Sequence, residues 1–198
     1  MFVLGVTGAS GAGKTTFVKQ LALYGFKHID TDVIARKIIP VALDSLVDTF
    51  GADIITGNNE LDRKILAEKA FSSKKNTEKL NKITHPLIIA EIKREIEAEA
   101  KLGTTLIAVD GAALFEAGAD KLCNKTVAVC ADTGIRLKRV ILRDNITEDQ
   151  AKQRFRAQKS QNYYTEKCDY TIFNNTENEM RQNTEELLQK LNIGGISK

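Results

Sequence analysis

The sequence predicts an α/β protein in which a parallel β-sheet is covered by helices on both faces. Short apolar runs alternate along the chain with segments of helical periodicity, a pattern typical of parallel strands joined by crossover helices. A glycine-rich segment, residues 8–15, separates the first apolar run from the first helical one. The chain has 198 residues, enough for one substantial core but not for two ordinary domains. We therefore predict one α/β domain.

The predicted elements follow from apolar periodicity and from residues that end helices. Gly25 suits the end of the first helix, Pro40 is expected to stop the second, and Pro86 to break a long helical segment after His85. Thr147 and Gln150 have capping-box spacing, and residues 193–198, with Gly194-Gly195, are expected to fray. Strands are predicted over 2–7, 26–29, 104–109, 125–130 and 170–173, and helices over 14–24, 31–39, 41–50, 62–71, 76–101, 133–143, from 147, and 177–191.

Three regions divide this single domain, residues 1–198. The alternating strands and helices form a core over residues 1–40, 104–135 and 167–192. Residues 41–103 are mostly helical and form a predicted insertion, and residues 136–166 follow the fourth strand, where a lid would attach.

Composition excludes several classes of protein. No apolar run is long enough to cross a bilayer, and no cleavable leader precedes the first strand, so we predict a cytosolic location without a membrane partner. The net charge of +3 suits a small anionic ligand and does not indicate nucleic acid. The three cysteines lack zinc-site spacing, which predicts reduced residues in or near the core. The oligomeric state is not indicated.

The glycine-rich segment matches the phosphate-binding pattern G-x-x-x-x-G-K-[ST]. In this pattern backbone N–H groups and the N-terminus of the next helix bind phosphate, while Lys14 reaches the β and γ phosphates and Thr15 ligates Mg²⁺. We therefore predict a three-layer P-loop NTPase fold that binds ATP with Mg²⁺. The predicted ATP-binding residues are Gly8, Gly11, Ala12, Gly13, Lys14, Thr15 and Thr16.

Acidic residues follow two other predicted strands. Ligands bind at the carboxyl ends of parallel strands, so Asp32 and Asp110 should lie beside the phosphate loop. Asp32 could orient and deprotonate an attacking hydroxyl, whereas Asp30 is predicted to cap a helix. Asp110 follows four apolar residues, the pattern of an acid that holds Mg²⁺. The Thr7 hydroxyl could face a substrate or bond the local backbone, and Glu116 could contact substrate or a helix N–H.

Five arginines fall in the two helices predicted after the fourth strand. Arg139 and Arg143 share a helix face and are expected to reach the phosphates during transfer, which makes them candidate catalytic residues with Lys14 and Asp32. Arg156 is expected to be solvated. Arg136 and Arg154 complete the group. His85, by its sequence context alone, is interpreted as a cap or an internal hydrogen-bonding residue.

Taken together, these residues resemble the dephospho-coenzyme A kinase family over nearly the whole chain. Residues 6–16 are similar to the family's T-G-x-x-G-S-G-K-S/T, and residues 30–36 to its D-x-D-x-x-A-R segment. Further likenesses cover 61–71 in the helical entry, 83–88 in H-P-x-I, 113–116 in P-L-L-F-E, 137–144 with Gln158 in the lid, and 168–174 in A-D-Y-V-I-x-N. The phosphate loop is generic, whereas the D-x-D, H-P and D-Y-x-I-x-N elements in this order are far more specific to the family.

The resemblance implies ATP-dependent phosphorylation of the ribose 3′-hydroxyl of dephospho-coenzyme A. It implies that Asp32 lies near the attacking hydroxyl, that Arg139 and Arg143 belong to a lid, and that the helical insertion helps to hold the pantetheine-bearing substrate. We predict substrate contacts from Thr7, Asp32, His85 and Glu116.

Two other functions remain open at this point. Residues 9–10 and 111–113 depart from the family pattern, so another alcohol, nucleoside or nucleotide could be the acceptor. A GTPase switch would need N-K-x-D after a late strand; residues 124–127 begin this pattern but lack the aspartate and precede the strand.

Overall fold

The computed structural model describes residues 1–58 and 60–193, so all of the predicted tail except Ile193 lies outside the described residues. Five parallel strands form one sheet with the order β2-β3-β1-β4-β5. They are β1 Phe2–Thr7, β2 Lys27–Asp30, β3 Leu106–Asp110, β4 Lys125–Cys130 and β5 Tyr170–Phe173.

Nine α-helices connect and cover these strands within the described part of the chain. They are α1 Lys14–Leu23, α2 Thr31–Lys37, α3 Ile39–Phe50, α4 Arg63–Ala70, α5 Lys74–Lys101, α6 Thr133–Asp144, α7 Glu148–Ala157, α8 Gln161–Lys167 and α9 Glu177–Lys190. Short 3-10 turns cover Ala52–Ile54 and Ala119–Leu122. The predicted α/β fold is confirmed.

Alternation of side chains along the central strands builds a core on each face of the sheet. In β1, Val3 packs with apolar residues of α2 to α5, whereas Leu4 and Val6 pack with those of α1 and α9. In β3, Ile107 packs on the same face as Val3, and Ala108 packs on the same face as Leu4 and Val6. Because both faces are buried, the strands read as continuous apolar runs, which made them predictable. The sheet is therefore the middle of three layers.

Strand register brings the predicted functional segments to one edge of the sheet. Asp110 at the end of β3 pairs with Asp30 at the end of β2, and Val6 pairs with Asp110 on the other side. Thr7 pairs with Ala128 of β4. The carboxyl ends of β1, β2 and β3 therefore lie side by side, next to the phosphate loop.

Both predictions about proline as a helix breaker are wrong. Pro40 lies in the first turn of α3, where a missing N–H costs nothing, and α2 already ends at Lys37. Pro86 lies inside α5, which runs without a break. An interior proline costs about 3 kcal/mol. Ile83, Leu87 and Ile88 flank it and pack against the core that lies on this face of the sheet, which offsets this cost.

The remaining local predictions have simple outcomes. Gly25 has a φ of 86° just after α1, and Thr147 and Gln150 form both bonds of the predicted capping box. Helix α8 was not predicted.

No helix among residues 1–58 and 60–193 has the length and apolar character needed to span a membrane. Burial raises the pKa of the Cys123 and Cys168 thiols to about 12, as expected for reduced residues near the core.

Candidate active site

A cavity of about 710 Å³ opens over the phosphate loop at the carboxyl edge of the sheet. The loop, α2 and α6 all contribute to its walls, so the structure brings Asp32, Arg139 and Arg143 to the predicted ATP-binding segment. Its lining residues are Ala9, Ser10, Gly11, Gly13, Lys14, Thr15, Thr16, Asp32, Ala112, Arg139, Leu142, Arg143 and Gln158.

Side chains from two later elements hold the phosphate loop in place. Asn174, after β5, donates from Nδ2 to the Ala12 carbonyl over 2.9 Å. Arg136, on α6, donates from Nε to the Ser10 carbonyl over 3.0 Å. Arg136 is 7% exposed, and its guanidinium carbon lies 4.6 Å from the centre of the Phe155 ring in α7. Residues 136–166, the predicted lid, are therefore in direct contact with the phosphate loop.

Position 13 requires glycine, a residue without a Cβ atom, for two reasons. Its φ is 95°, in the left-handed region, and a Cβ there would collide with the Asn174 amide. We expect Gly13→Ala to destabilise the protein by more than the roughly 1–2 kcal/mol of a left-handed alanine, and to raise the KM for ATP. Chemical denaturation and steady-state kinetics measure the two effects.

Gly25→Ala is the matched control for this substitution. Gly25 has a φ of 86°, but a Cβ there meets nothing within 4 Å. Gly25→Ala should lose only the stability that the left-handed backbone conformation costs an alanine, and it should bind ATP normally. Equal destabilisation of the two variants, with an unchanged KM for ATP in Gly13→Ala, would contradict the assigned contact.

Lys14 lies among carboxylates at the floor of the cavity. Its Nζ donates to the Gly8 carbonyl over 3.0 Å. Burial lowers the pKa of the ammonium group, and the nearby charges of Asp110 and Asp32 oppose that shift. Burial removes water from the Lys14 ammonium group, and the negative charges of a bound triphosphate would compensate for that loss. The site therefore favours a polyanion.

Asp30 and Asp32 have different positions despite their proximity in sequence. The Asp30 carboxylate caps α2, accepting from the backbone N–H of Asp32 at 2.8 Å and of Val33 at 3.2 Å. Asp32 faces the cavity instead. The residue is exposed, yet partial desolvation of its carboxyl group raises its pKa, and the charge of Asp30 raises it further. The predicted capping role of Asp30 is confirmed.

Two buried oxygens at this edge have no hydrogen-bond partner among the described residues: Thr7 Oγ1 and Asp110 Oδ1. A buried carboxylate oxygen without a partner is costly, so a cation beside Asp110 would compensate it. His28 Nε2 lies 3.7 Å from the other oxygen, Oδ2. Thr7 is fully buried and does not line the cavity, and its hydroxyl has no local backbone bond in the described structure.

The two arginines of α6 that line the cavity differ in their partners. Arg139 donates from Nη1 to the Asn174 carbonyl over 2.8 Å while lining the cavity. Arg143 also lines the cavity, and its guanidinium makes a two-pronged contact with Asp144, with Nε–Oδ1 at 2.7 Å and Nη2–Oδ2 at 2.9 Å. Arg154 pairs with the same carboxylate. Arg156 is exposed and does not line the cavity, consistent with a solvated residue.

The structure separates His85 and Glu116 from the main cavity. His85 lines a small neighbouring cavity that also contains Asp32. Burial lowers the pKa of its imidazole, and the nearby Glu116 opposes the shift. Glu116 is exposed and interacts with this histidine and with Tyr163 of α8. Burial raises the pKa of Tyr163, and Glu116 raises it further. Contacts of His85 and Glu116 with substrate remain predictions.

Sequence reasoning from local patterns did not assign roles to Arg136, Asn174 or Leu142. The first two hold the loop, and Leu142 is an exposed apolar residue on the cavity wall. The sequence offered two clues to the residues that hold the loop. The family likeness of residues 168–174 includes Asn174, and Arg136 lies beside Arg139 on the same helix. The segment that partly matches N-K-x-D, the guanine-binding pattern of GTPases, lies away from this cavity. Its Asn124 accepts a hydrogen bond from the Val3 N–H at the amino end of the sheet.

Comparison with known proteins gives consistent matches over nearly the full length. A family model described as dephospho-CoA kinase matches residues 2–179. The chain is 36% identical over 193 residues to a dephospho-CoA kinase of Fusobacterium nucleatum, covering 96% of this chain and 95% of that protein.

Two solved structures are similar to the fold. The dephospho-CoA kinase from Campylobacter jejuni has a TM-score of 0.68 at 28% identity, with 96% of each chain covered. A protein from Thermus thermophilus has a TM-score of 0.85 with 98% of each chain covered; at 24% identity, this likeness concerns the fold alone.

Proposed function

The chain belongs to the dephospho-CoA kinase family, whose reaction is the ATP-dependent phosphorylation of dephospho-coenzyme A, and we propose how its residues divide that reaction. The observation that carries the proposal is the single cavity that joins the phosphate loop, Asp32 and two lid arginines. Residues 41–103 hold the acceptor and residues 136–166 form the lid. A cytosolic location remains a prediction.

ATP binds with its phosphates against the loop amides and Lys14. Asp32 accepts the proton of the ribose 3′-hydroxyl as that oxygen attacks the γ-phosphorus, and the bond from this phosphorus to the β-phosphate oxygen breaks to release ADP. Arg139 and Arg143 face the same cavity and offset the negative charge on the phosphoryl oxygens. Closure of the lid would exclude water, which protects ATP from hydrolysis.

Mg²⁺ fits the residues of this edge. The orphaned Asp110 Oδ1 and the Thr15 hydroxyl are oxygen donors of the kind that Mg²⁺ prefers. Among residues 1–58 and 60–193, no group of three His, Cys, Asp or Glu side chains could hold a metal ion, which suits an ion bound mainly by phosphates and water. When bound, the ion would neutralise phosphate charge.

A panel of acceptors supplied with ATP tests the function. We expect ADP release with dephospho-coenzyme A, and phosphorus NMR of the product should locate the new phosphate on the ribose 3′-oxygen. Robust transfer to another alcohol with none to dephospho-coenzyme A would overturn the proposal, as would a strong preference for GTP with no transfer to any acceptor.

The acid limb of the pH profile should report Asp32. Its pKa is raised above the ordinary value of 3.8, so the carboxyl group stays protonated, and unable to accept a proton, over a wider acidic range. We expect kcat/KM for the acceptor to rise with pH until it passes this pKa. Asp30→Asn removes a negative neighbour, which lowers the pKa of Asp32 and moves the limb to lower pH.

Asparagine also caps helices well, so the Asp30→Asn substitution keeps α2 intact. Steady-state rates measured across the acidic range, with thermal unfolding followed at each pH, separate titration from loss of fold. An acid limb that stays in place in Asp30→Asn would contradict the assignment of the limb to Asp32.

A further inference from the structure

A series of cavities runs along α2 away from the phosphate loop. Asp32 lines both the main cavity and a small cavity of about 70 Å³. Ala35, almost one turn further along the helix, lines both that small cavity and a third cavity of about 220 Å³. Shared lining residues make these spaces neighbours. An elongated substrate whose reacting group lies at Asp32 would therefore extend along α2 toward the helical insertion.

The third cavity is apolar with a charged margin. Seven of its nine lining residues are apolar, and the other two are Arg36 and Arg63. Leu61, Leu66, Phe71 and Leu80 supply most of its larger apolar side chains. Phe71 is 66% exposed, although it is a large apolar residue. Such a surface suits a branched aliphatic group held beside an anion.

The two arginines are available to such an anion. Arg36 lies one turn beyond Asp32 on α2, about 6 Å along the helix axis. Arg63 is the first residue of α4. Neither guanidinium forms an ion pair within the part of the chain that the structure describes. Both also line a neighbouring cavity of about 460 Å³, whose acidic residue, Glu60, is not paired with either of them.

We propose that Arg36 and Arg63 bind the 5′-diphosphate of dephospho-coenzyme A and that the apolar cavity binds the gem-dimethyl pantoyl group that follows it. The assignment rests on the proposed function. The order of groups in this acceptor is ribose hydroxyl, diphosphate, branched aliphatic carbon, then amide chain. The order along α2 is carboxylate, arginine, apolar cavity. Guanidinium groups are well suited to diphosphate because they donate two parallel hydrogen bonds.

Steady-state kinetics at pH 8, with both substrates varied, test this subsite. This pH lies well above the ordinary carboxyl pKa of 3.8, which limits the effect that loss of the Arg36 charge has on the protonation of Asp32. We expect Arg36→Gln and Arg63→Gln each to raise the KM for dephospho-coenzyme A by about ten- to a hundredfold. Phe71→Ala should raise it by about three- to tenfold. The KM for ATP should stay at the wild-type value.

Two controls carry an identical and a comparable change elsewhere on the surface. Arg181→Gln alters an exposed arginine of α9, and Leu102→Ala alters a leucine that is 79% exposed at the end of α5. Both should keep wild-type constants for each substrate. Because Arg36, Arg63 and Phe71 are all exposed, their variants should fold, and thermal unfolding verifies this.

The outcomes separate the subsite from the function. An unchanged KM for dephospho-coenzyme A in both arginine variants overturns the subsite while the wild-type reaction stands, and so does an equal rise in the KM for ATP. Absence of wild-type transfer to dephospho-coenzyme A overturns the proposed function itself, and the subsite with it.

Discussion

Asp32→Asn is expected to lower kcat by about 10²–10⁴-fold, the usual contribution of a general base. Asparagine has nearly the same shape as aspartate but cannot accept the hydroxyl proton. The side chain lies on the cavity wall and makes no capping bond, so the fold should be unaffected. Single-turnover measurements with saturating ATP and acceptor isolate this effect on the chemical step.

Asp30→Asn is the control for that substitution, because it removes a charge two residues away and keeps the helix cap. Its turnover near neutral pH should match the wild type. A near-wild-type rate in Asp32→Asn would remove this carboxylate from the mechanism, and the two aspartates would then be indistinguishable in function.

Lys14→Ala is expected to lower kcat by about 10²–10³-fold, comparable to the loss of one donor that stabilises a transition-state charge. The bond to the Gly8 carbonyl holds the ammonium group at the phosphate loop, where a bound triphosphate would be its counter-charge. Burial disfavours its charged form in the absence of ATP, so removing it should not reduce thermal stability greatly. Turnover and thermal unfolding are the two measurements.

Lys19→Ala supplies the comparison, since Lys19 is an exposed lysine of the same helix. It should retain wild-type turnover and stability. Equal losses of turnover in the two lysine variants would show that general charge, rather than the position of Lys14, drives the reaction.

Much of the fold was predictable because its signals are local. The last four residues of β4, Lys125–Cys130, are apolar and buried, so the strand is recognisable from its composition. The capping box at Thr147 is equally local. Pro86 was misread because the packing that keeps α5 continuous involves residues distant in sequence from that proline. Helix α8 has only seven residues, too few for a clear periodic pattern.

In the candidate site too, features set by local sequence were predictable, and features set by contacts between distant residues were not. The phosphate loop and Asp32 were predictable because both lie next to the carboxyl end of a strand. The hydrogen bond from Asn174 to Ala12 joins residues 162 positions apart, and that from Arg136 to Ser10 joins residues 126 apart. No local pattern encodes such contacts. The apolar cavity beside Arg36 has the same origin, because its walls come from separate helices.

Titration of the wild type, Lys14→Ala and Asp32→Asn with ATP, with and without Mg²⁺, tests the central claim most directly. One edge of the sheet is proposed to hold the nucleotide with the loop and Lys14, and to activate the acceptor with Asp32. We expect magnesium-dependent binding in the wild type, weaker binding in Lys14→Ala, and wild-type affinity in the nearly inactive Asp32→Asn. Absence of magnesium-linked binding in the wild type would contradict the account, and so would a loss of affinity in Asp32→Asn as large as its loss of turnover.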